Sequence, residues 1–356
     1  MLEYFRGKRV FITGHTGFKG SWLCKILLNS GAIVRGYALA PDLPTNLFGL
    51  LDIAGRMDSI IGDVRDLNHL KSAFLDFKPE IAIHLAAQPL VRESYLNPQY
   101  TYETNVMGTV NFLECVRLSD TVKSVLNVTT DKVYLNNEWE WGYRENDTLN
   151  GYDPYSNSKS CSELVTDSYR RSFFKSRSLA ISTARAGNVI GGGDFSIDRI
   201  IPDCVRSAQA NKPIVVRNPY SIRPYQHVIE PLIAYLLIIE KQASDPLLEG
   251  SYNVGPSESD CISTGSLVTL FCQKWGNQLS WINQHDGGPH EAGFLKLDCS
   301  KIKNRLAWHP VWDIQTAIGK TVEWTKALFE GSDVSTVATK QINDYLADYQ
   351  KSVHGA

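Results

Sequence analysis

Short apolar runs alternate with longer amphipathic segments along the first half of the chain. The runs have the length of buried strands and lie at 8–14, 33–39, 59–62, 80–86, 124–130 and 179–185. The segments between them repeat apolar residues at helical spacing and predict helices at 18–30, 66–78, 98–117 and after Pro154. Strands that alternate with helices of this length form βαβ units around a parallel sheet. The pattern therefore predicts an α/β fold with a Rossmann-type doubly wound sheet.

This alternation stops near residue 186. Glycines, prolines and charged residues become denser beyond it, and helices are predicted there at about 230–243, 264–275 and 313–328. We therefore expect a first domain over 1–186 that holds the sheet. Residues 187–356 are expected to form a smaller C-terminal lobe that mainly faces the substrate, and segments of this lobe can return to the first domain.

The composition is that of an ordinary globular protein. Of the 356 residues, 43% are hydrophobic and 21% are charged, which excludes the collagen-like, disordered and disulfide-scaffold classes. The formal net charge of −2, without a basic stripe, argues against a nucleic-acid partner. The longest clean apolar stretch, 231–239, is far shorter than the roughly 20 residues that a membrane span needs. We therefore expect no contact with nucleic acid or membrane.

Cysteine and histidine usage indicates a reduced compartment and no metal site. The seven cysteines are scattered without a CxxC pair, as in a cytoplasmic protein with free thiols. The N-terminal segment has no apolar core before a cleavage site, so it does not predict a signal peptide. The eight histidines form no HxxxH or HExxH pattern, and His285 and His290 fit no standard zinc spacing.

A glycine-rich turn follows the first predicted strand and precedes the first predicted helix. Its spacing is GxxGxxG, and its residues are Gly14, His15, Thr16, Gly17, Phe18, Lys19 and Gly20. Glycines let the backbone approach a pyrophosphate, and a helix N-terminus adds unpaired N–H groups and partial positive charge. A purely structural turn is the alternative, but the strand–turn–helix context predicts a dinucleotide site.

The adenosine end of such a site is less regular in this sequence. An acid about 20 residues after the glycines often binds the ribose. That place falls near Ala38, where no acid stands, and the nearby Arg35 leaves a 2′-phosphate open. Asp63 and Val64, after the third strand, are candidates for contact with the adenine. Asp63 could instead cap its loop.

Tyr155 and Lys159 are spaced so that both side chains point the same way on a helix. A lysine ammonium beneath a phenol favours the phenolate and lowers the pKa of the tyrosine, which then accepts a hydroxyl proton. The spacing alone is not specific, because Tyr4 and Lys8 share it. Position distinguishes the pairs: Tyr155 follows the fifth strand, near the carboxyl-end crevice where ligands bind. We therefore predict Tyr155 and Lys159 as catalytic and cofactor-binding residues.

Thr130, Asp131 and Lys132 follow one another at the end of the fifth predicted strand. A hydroxyl, an acid and an amine are thereby placed at the mouth of the crevice. A polar strand end that caps a loop is the alternative reading. With Tyr155 and Lys159 downstream, we predict that all three are catalytic.

Further candidates lie along the strand ends and in the second lobe. The cofactor is expected to pass the end of the fourth strand, at Leu85, Ala86, Ala87 and Gln88. Asn105 is polar within an apolar helix and is either a solvated position or a hydrogen-bond relay to Lys159. Arginine binds diphosphates bidentately, and two arginines of the following set are expected to reach a phosphate: Arg185, Arg199, Arg217 and Arg223, with Asn188 as a neighbouring polar candidate.

These motifs together resemble the extended short-chain dehydrogenase/reductase family. The resemblance covers nearly the whole chain and rests on TGHTGFKG, LAAQ, NVMGT, TTDKVY, YSNSK and RAGNVIGGGD. One branch, the CDP-glucose 4,6-dehydratases, is similar in TDKVY, HTGFKGSW, RNPYSIRPYQHVIEPL and HEAGFLKLDCSK, the last of which adds Glu291 to the substrate-binding candidates. Related dehydratases carry Asp-Glu where this chain has Asp131-Lys132, and epimerases lack this acid/base pair, so the pair favours a dehydratase.

The resemblance implies NAD as cofactor, CDP-glucose as substrate and a reaction in deoxysugar biosynthesis of the O-antigen type. It implies that Tyr155 takes the proton of the 4-hydroxyl while Thr130 binds the same oxygen. Lys132 is then the base at C5, and protonated Asp131 is the acid for the C6 hydroxyl. A 4,6-dehydratase or 4-epimerase of UDP-, GDP- or dTDP-sugars, and a non-catalytic dinucleotide sensor, are the alternatives.

The two long helices, near 98–117 and 154–174, carry apolar residues on more than one face. These residues are Val106, Val110, Phe112, Leu113, Leu164, Tyr169, Phe173 and Phe174. In the family that the motifs resemble, such helices pair into a four-helix interface. The resemblance therefore implies a homodimer or homotetramer, and a monomer is the alternative.

Overall fold

The computed structural model describes residues 2–175, 177–276, 278–284, 287 and 293–354. Its first six strands lie within two residues of the predicted bounds: β1 (Arg9–Thr13), β2 (Ile33–Ala38), β3 (Asp58–Ile61), β4 (Ile81–His84), β5 (Ser124–Val128) and β6 (Ala180–Ala186). The α/β prediction is therefore confirmed. Periodicity was sufficient here because helices cover both faces of the sheet, which makes every strand an apolar run.

The predicted helices are present between these strands, together with two short helices that the sequence pattern did not reveal, at Leu47–Leu50 and Val91–Leu96. They are α1 (Phe18–Asn29), α2 (Leu47–Leu50), α3 (Leu67–Phe77), α4 (Val91–Leu96), α5 (Pro98–Tyr102), α6 (Gly108–Leu118) and α7 (Pro154–Tyr169). The Asp66 side chain caps α3 by accepting a hydrogen bond from the His69 N–H, 3.1 Å away. The predicted helix at 98–117 comprises α5, a π-helical turn at Glu103–Met107 and α6.

The second half adds short strands and further α-helices among the described residues. The strands are β7 (Val189–Ile190), β8 (Ile214–Val216), β9 (Ile222–Pro224), β10 (Gln226–His227), β11 (Ser251–Val254), β12 (Cys261–Ser263) and β13 (Trp281–Asn283). The helices are α8 (Ile200–Gln209), α9 (Ile229–Ser244), α10 (Thr264–Trp275), α11 (Ser300–Leu306), α12 (Ile314–Phe329) and α13 (Val334–His354). The sequence pattern predicted α9, α10 and α12, but it did not reveal α8, α11 or α13.

One parallel sheet organises the molecule, with strand order β11-β6-β5-β4-β1-β2-β3. One face is covered by α1 and α9, and the other by α3, α6 and α7. The order reverses between β1 and β4, so a crevice opens at the carboxyl ends of these strands. The loops at 14–20, 62–66, 85–90 and 129–133 all leave the sheet at this edge.

Two elements from beyond residue 186 belong to the sheet layer. β11 pairs with β6 in parallel, from Ser251 opposite Thr183 to Val254 opposite Ala186. Helix α9, buried over most of its length, packs on β5 and β6. A separate core forms the second lobe from α8, α10 and α12. The division of function at residue 186 stays a prediction.

The C-terminal helix α13 is held by a buried carboxyl group. Glu230, at the start of α9, is fully buried and accepts hydrogen bonds from the N–H groups of Val311 (2.9 Å) and Trp312 (2.6 Å). Its other oxygen accepts the hydroxyl of Tyr345 on α13, 2.6 Å away. Burial raises the pKa of Glu230 to about 7, although these hydrogen bonds oppose the change.

Because the folded-state pKa lies above the ordinary value of 4.5, this carboxyl binds a proton more tightly in the folded chain. Glu230 therefore makes its full contribution to the free energy of unfolding below pH 4.5. About 3 kcal/mol of this contribution is lost as the pH rises from 4.5 to 7. We expect Glu230→Gln to remove this decline. Urea unfolding at pH 5 and pH 8 measures it, with Glu330→Gln, an exposed site at the end of α12, as control. Equal pH slopes in both variants would contradict the assignment.

Candidate active site

The glycine-rich turn is built around two positions where a side chain has no room. Gly14 has φ +77°, and a Cβ there would lie 2.7 Å from the Ala86 nitrogen. A Cβ on Gly20, in the first turn of α1, would lie 2.1 Å from the Gly14 oxygen. Gly17, the N-cap of α1, differs, because a Cβ there would approach only the Gly14 oxygen, at 3.5 Å. The turn is thus closely packed on its inner side and open where α1 presents N–H groups without a side-chain cap.

The side chains of His15 and Thr16 face the protein. The His15 ring is buried, lies 2.7 Å from the Ser59 hydroxyl through Nε2, and fills the space left by Gly36. Burial lowers the pKa of His15 to about 4, so the ring is neutral at physiological pH. The Thr16 hydroxyl donates to the Leu39 carbonyl, 2.9 Å away. These residues brace the turn against β2, which leaves their backbone for a ligand.

The side chain of Lys19 turns toward the reaction end of the crevice. Burial lowers the pKa of Lys19 to about 8, and the nearby Arg199 lowers it further, whereas Asp131 opposes the change. Phe18 lies beneath Gly191, whose missing Cβ would be 3.3 Å from the ring. The turn therefore contributes a second lysine near Asp131, a role that glycine spacing could not reveal.

At the adenosine end, Asp63 is engaged by Arg65. Its carboxylate accepts the Arg65 backbone N–H at 2.9 Å and the guanidinium at 2.6 Å. Burial opposes ionisation of Asp63, but the Arg65 hydrogen bonds outweigh it and lower the pKa of the carboxyl. This is the capping geometry that the sequence left open, and Val64 beside it is buried against Gly108.

Arg35 does not lie at the ligand edge. It stands in the middle of β2, forms ion pairs with Asp58 (2.5 Å) and Asp76 (2.9 Å), and covers the ring of Phe77. Its guanidinium is thus fully engaged on the side of the sheet. Arg35, which the sequence left as a candidate to bind a 2′-phosphate, is therefore unsuited to that role.

The segment after β4 is fixed to the end of β1 and to the π-helical turn that carries Asn105. The N–H groups of Leu85 and Ala86 donate to the Thr13 hydroxyl at 3.1 and 3.2 Å, and Ala87 follows, partly exposed. Gln88 is buried and its N–H donates to Asn105, 2.8 Å away.

Asn105 is fully buried on the π-helical turn, so the solvated alternative is wrong. Its amide donates to the hydroxyl of Ser158 at 2.9 Å and to the Gln88 carbonyl at 3.1 Å. No bond to Lys159 is present among the described contacts, so Asn105 reaches only the residue before Lys159. The helical pattern concealed this because the π turn rotates the side chain inward.

Asp131 is the most buried acid at the reaction end, with 2% of its surface exposed. A short 3₁₀ turn, Asp131–Val133, begins after β5, and the Thr130 hydroxyl donates to Asp131 Oδ1 at 2.9 Å. Asp131 Oδ2 has no hydrogen-bond partner among the described residues. Burial raises the pKa of Asp131, although Lys132, Thr130 and Arg223 oppose the change. The carboxyl is thus poised to hold a proton, and Lys132 beside it is half-buried.

Tyr155 and Lys159 lie on the first turns of α7, which Asp153 caps by accepting the Ser156 N–H at 2.9 Å. Burial lowers the pKa of Lys159 to about 8, Lys19 lowers it further, and Glu163 opposes the change. The Lys159 ammonium donates to the Val128 carbonyl, 3.3 Å away.

The pKa of Tyr155 does not fall as the spacing with Lys159 predicted. Burial raises the pKa of Tyr155 to about 12, while a hydrogen bond with Thr130 acts in the opposite direction. Burial outweighs the positive charges because the phenolate loses its hydration in the crevice. Thr130, which the sequence placed nearby, is therefore the direct partner of the phenol.

The candidate arginines differ in their partners. Arg185 is buried in an ion pair with Glu163 at 2.9 Å, so it is not one of the two arginines expected to reach a phosphate. Arg199 forms an ion pair with Asp194 at 3.0 Å, and its positive charge acts to lower the pKa of both Lys19 and Tyr155.

The other lobe candidates lie at different depths. Arg223 is buried beside Asp131. Arg217 bonds to Asp198 at 2.8 Å, and Asn188, just after β6, is half-buried. Glu291 lies outside the described residues.

We expect Gly17→Ala to weaken cofactor binding without weakening the fold. The added methyl group meets no close protein atom but enters the open side of the turn, where a pyrophosphate would approach the N–H groups. The dissociation constant for NAD should rise about tenfold or more, and the thermal midpoint should not change. Calorimetric titration measures the first and a melting curve the second. Gly55→Ala, at an exposed glycine with no atom within 4 Å, is the control; equal NAD affinity in both variants would argue against this site.

Two features are absent from the part of the chain that the structure describes. No helix in it has the length and apolar character needed to cross a bilayer. No group of three or more histidine, cysteine, aspartate or glutamate side chains in it is arranged to hold a metal ion. All seven cysteines carry free thiols.

Comparison with known proteins connects this site to enzymes of nucleotide-sugar chemistry. The family profile described as GDP-mannose 4,6 dehydratase matches residues 11–321. A protein of Salmonella typhimurium named CDP-glucose 4,6-dehydratase is 48% identical over 353 residues, which cover 97% of this chain and 98% of that protein.

Solved structures show the same fold at lower identity. A dTDP-glucose 4,6-dehydratase of Bacillus anthracis in complex with NAD has a TM-score of 0.75 and 20% identity, over 92% of this chain and all of that one (100%). A UDP-glucose 4-epimerase of Thermotoga maritima has a TM-score of 0.78 and 19% identity, over 90% of this chain and 99% of that one. Since the profile spans most of the sequence and the Salmonella protein is similar from end to end, the chain belongs to the GDP-mannose 4,6 dehydratase family, within the extended short-chain dehydrogenases/reductases.

Proposed function

We propose that this protein is a CDP-glucose 4,6-dehydratase, which oxidises C4 of the glucose, eliminates water across C5 and C6, and reduces C6. Asp131 carries the proposal, because a buried carboxyl with a raised pKa and an unbonded oxygen can protonate a departing hydroxyl. An epimerase has no need of such an acid. The choice of nucleotide rests on the Salmonella relative, whose name specifies CDP-glucose.

The residues of the turn suit NAD. Gly14 and Gly20 permit the tight turn, Gly17 leaves the N-terminus of α1 open to a pyrophosphate, and Leu85 to Gln88 line the path toward the nicotinamide end. Engagement of Arg35 by two acids favours NAD over its 2′-phosphorylated form. When bound, NAD supplies the hydride acceptor for C4 and the hydride donor for C6.

The first proton moves at the 4-hydroxyl. Tyr155, as the phenolate, takes this proton, and Thr130 donates a hydrogen bond to the same oxygen. A phenol with a pKa of about 12 is a strong acceptor once it is ionised, but it needs nearby positive charge to ionise at physiological pH. Lys159, one turn further along α7, is placed to supply that charge.

The elimination then uses the two residues that follow Thr130. The new 4-keto group makes the C5 proton acidic, and Lys132 acts as the base that removes it. Protonated Asp131 donates its proton to the C6 hydroxyl, which leaves as water. A proton returned to C5 and a hydride to C6 complete the 4-keto-6-deoxy sugar, so no net oxidation occurs.

The second lobe is proposed to bind the CDP portion. The charge of Arg199 acts on Lys19 and that of Arg223 on Asp131, and Asn188 follows β6 at its carboxyl end. Arg217 and Glu291 remain candidates for the same role. In this division residues 1–186 bind NAD and residues 187–356 mainly bind the nucleotide sugar, in a cytoplasmic enzyme of O-antigen-type deoxysugar biosynthesis.

We propose a homodimer or homotetramer formed through the helices that carry Tyr155 and Asn105. Phe112, Leu113 and Phe174 are buried within the subunit, but Leu164 and Phe173 remain about half exposed, at 56% and 46%. Apolar side chains exposed along one helix in this way are typical of an interface between subunits.

The test mixes the purified protein with NAD and, in turn, CDP-, UDP-, GDP- or dTDP-glucose in heavy water, followed by NMR of the sugar. We expect a C6 methyl signal from CDP-glucose alone, with deuterium at C5 and no net reduced cofactor. A methyl signal from another nucleotide would overturn the substrate. An inverted sugar carbon without a methyl group would indicate an epimerase. No change with any sugar, despite NAD binding, would indicate a dinucleotide sensor.

A further inference from the structure

Glu163 is a fully enclosed carboxylate on α7, one turn beyond Lys159. Only 3% of its surface is exposed, and it accepts three close hydrogen bonds from the end of β5 and from β6. Oε1 accepts the hydroxyl of Thr129 at 2.5 Å, and Oε2 accepts Thr183 at 2.7 Å and the Arg185 guanidinium at 2.9 Å. One side chain thus connects the catalytic helix with the end of β5 and with β6.

Arg185 is fixed equally well on its other side. Its Nη1 donates to the Tyr134 hydroxyl at 2.9 Å and to the Glu145 carbonyl at 3.0 Å. Tyr134 in turn donates to Asn253 on β11, 2.6 Å away. A buried ion pair with these additional bonds has a defined geometry, and loss of one partner leaves an uncompensated charge.

Glu163 is connected to both parts of the candidate reaction centre, the strand end after β5 and helix α7. Thr129 directly precedes Thr130 and Asp131, so the bond from its hydroxyl fixes the place where that strand end meets α7. Glu163 also lies four residues after Lys159, a spacing that brings two side chains together on one helix face. No step of the proposed chemistry uses this ion pair.

We propose that the Glu163–Arg185 ion pair is a positioning device, which holds the Thr129–Asp131 strand end against α7 and sets the protonation state of Lys159. The positioning of Thr130 and Asp131 rests on the proposed function, whereas the effect on Lys159 does not. Removal of the negative member should make Lys159 easier to deprotonate. Removal of the positive member should make it harder.

Several groups from different elements face Lys159. Lys19 at the start of α1 disfavours the ammonium, and Glu163 favours it. His84 on β4 is buried and neutral, with its pKa lowered to about 3. Burial raises the pKa of Tyr155, on the same helix, to about 12. Between pH 6 and 10, Glu163 and Arg185 are therefore the charged groups near Lys159 that a substitution can remove without a change in the crevice.

The decisive experiment compares the full-length protein with Glu163→Gln, Arg185→Met and the double variant. NAD dissociation constants are measured calorimetrically from pH 6 to 10, and kcat with CDP-glucose over the same range. We expect affinity and kcat to decline above about pH 8 in the unaltered chain, as Lys159 loses its proton. The midpoint should move down by about one pH unit in Glu163→Gln, up in Arg185→Met, and back near its original value in the double variant.

The opposite shifts separate this role from a merely structural one. Damage to the fold would lower affinity in both single variants without moving their midpoints in opposite directions. The double variant guards against unfolding, since it buries no unpaired charge. A common midpoint in all four proteins would overturn the proposal.

Thr129 tests the mechanical part of the proposal. Thr129→Val removes the hydroxyl that Glu163 accepts without a change in charge, whereas Thr129→Ser retains it. We expect kcat to fall about tenfold in Thr129→Val, with the NAD midpoint unchanged, and to recover in Thr129→Ser. Equal kcat in the two variants would contradict the positioning role. If the unaltered protein binds NAD but dehydrates no sugar, the proposed function fails while the NAD midpoints still test the ion pair.

Discussion

Replacement of Tyr155 with phenylalanine is expected to lower kcat about 10²- to 10⁴-fold, because it removes the group that accepts the 4-hydroxyl proton. The ring volume is retained, and the hydroxyl that Thr130 contacts is the only group lost. Affinity for NAD should change little, since the glycine-rich turn and Lys159 are untouched. Steady-state kinetics with CDP-glucose and calorimetric titration of NAD measure the two quantities.

The chain provides a matched control for this variant. Tyr4 and Lys8 have the same spacing as Tyr155 and Lys159, but they precede β1 and lie outside the crevice. Lys8 is engaged by Glu80 at 2.9 Å. Tyr4→Phe should therefore retain full kcat. A Tyr155→Phe protein with more than about a tenth of the normal kcat would exclude the tyrosine as the base.

The second large effect is expected for Asp131→Asn. An amide of the same shape can keep the contact with Thr130 but has no acidic proton to give to the C6 hydroxyl. The elimination should slow about 10²- to 10⁴-fold, whereas oxidation at C4 should continue. The absorbance of reduced nicotinamide should therefore rise after CDP-glucose is added and should persist, which it does not in a protein that completes the cycle.

Two observations would contradict this assignment. Normal methyl formation by Asp131→Asn would show that another group protonates the hydroxyl. Loss of the oxidation step together with the elimination would show that Asp131 acts at C4 or holds the substrate. Asp120→Asn, at an exposed site before β5, is the control and should behave as the unaltered chain.

Much of the fold follows from local pattern. The six strands of the first half and the helices α1, α3 and α7 lie close to their predicted bounds, because period and length distinguish buried strands from helices. Asp66 as a cap was also predictable, since a short acid before an apolar helix satisfies free N–H groups. The glycine-rich turn was identified for the same reason: its context of strand, turn and helix is local.

The sequence predicts the members of the candidate reaction centre, whose catalytic roles stay predictions, but it does not predict the pKa values of these residues. Thr130, Asp131, Tyr155 and Lys159 were named from strand ends and helix spacing. The pKa of Tyr155 moves in the direction opposite to the expected one, because burial depends on everything packed around the phenol. Spacing carries no information about burial.

The sequence by itself determined the order of the sheet strands and long helices in the first half, the turn for a dinucleotide and the candidate acid and base, since each is encoded within a dozen neighbouring residues. Only the tertiary structure decided that β11 joins the sheet, that Arg185 binds Glu163 and not a phosphate, and that Arg35 is engaged away from the ligand edge. These outcomes depend on contacts between residues far apart in the chain. An arginine's partner is set by which carboxylate the fold brings within hydrogen-bond distance, and no local pattern records that.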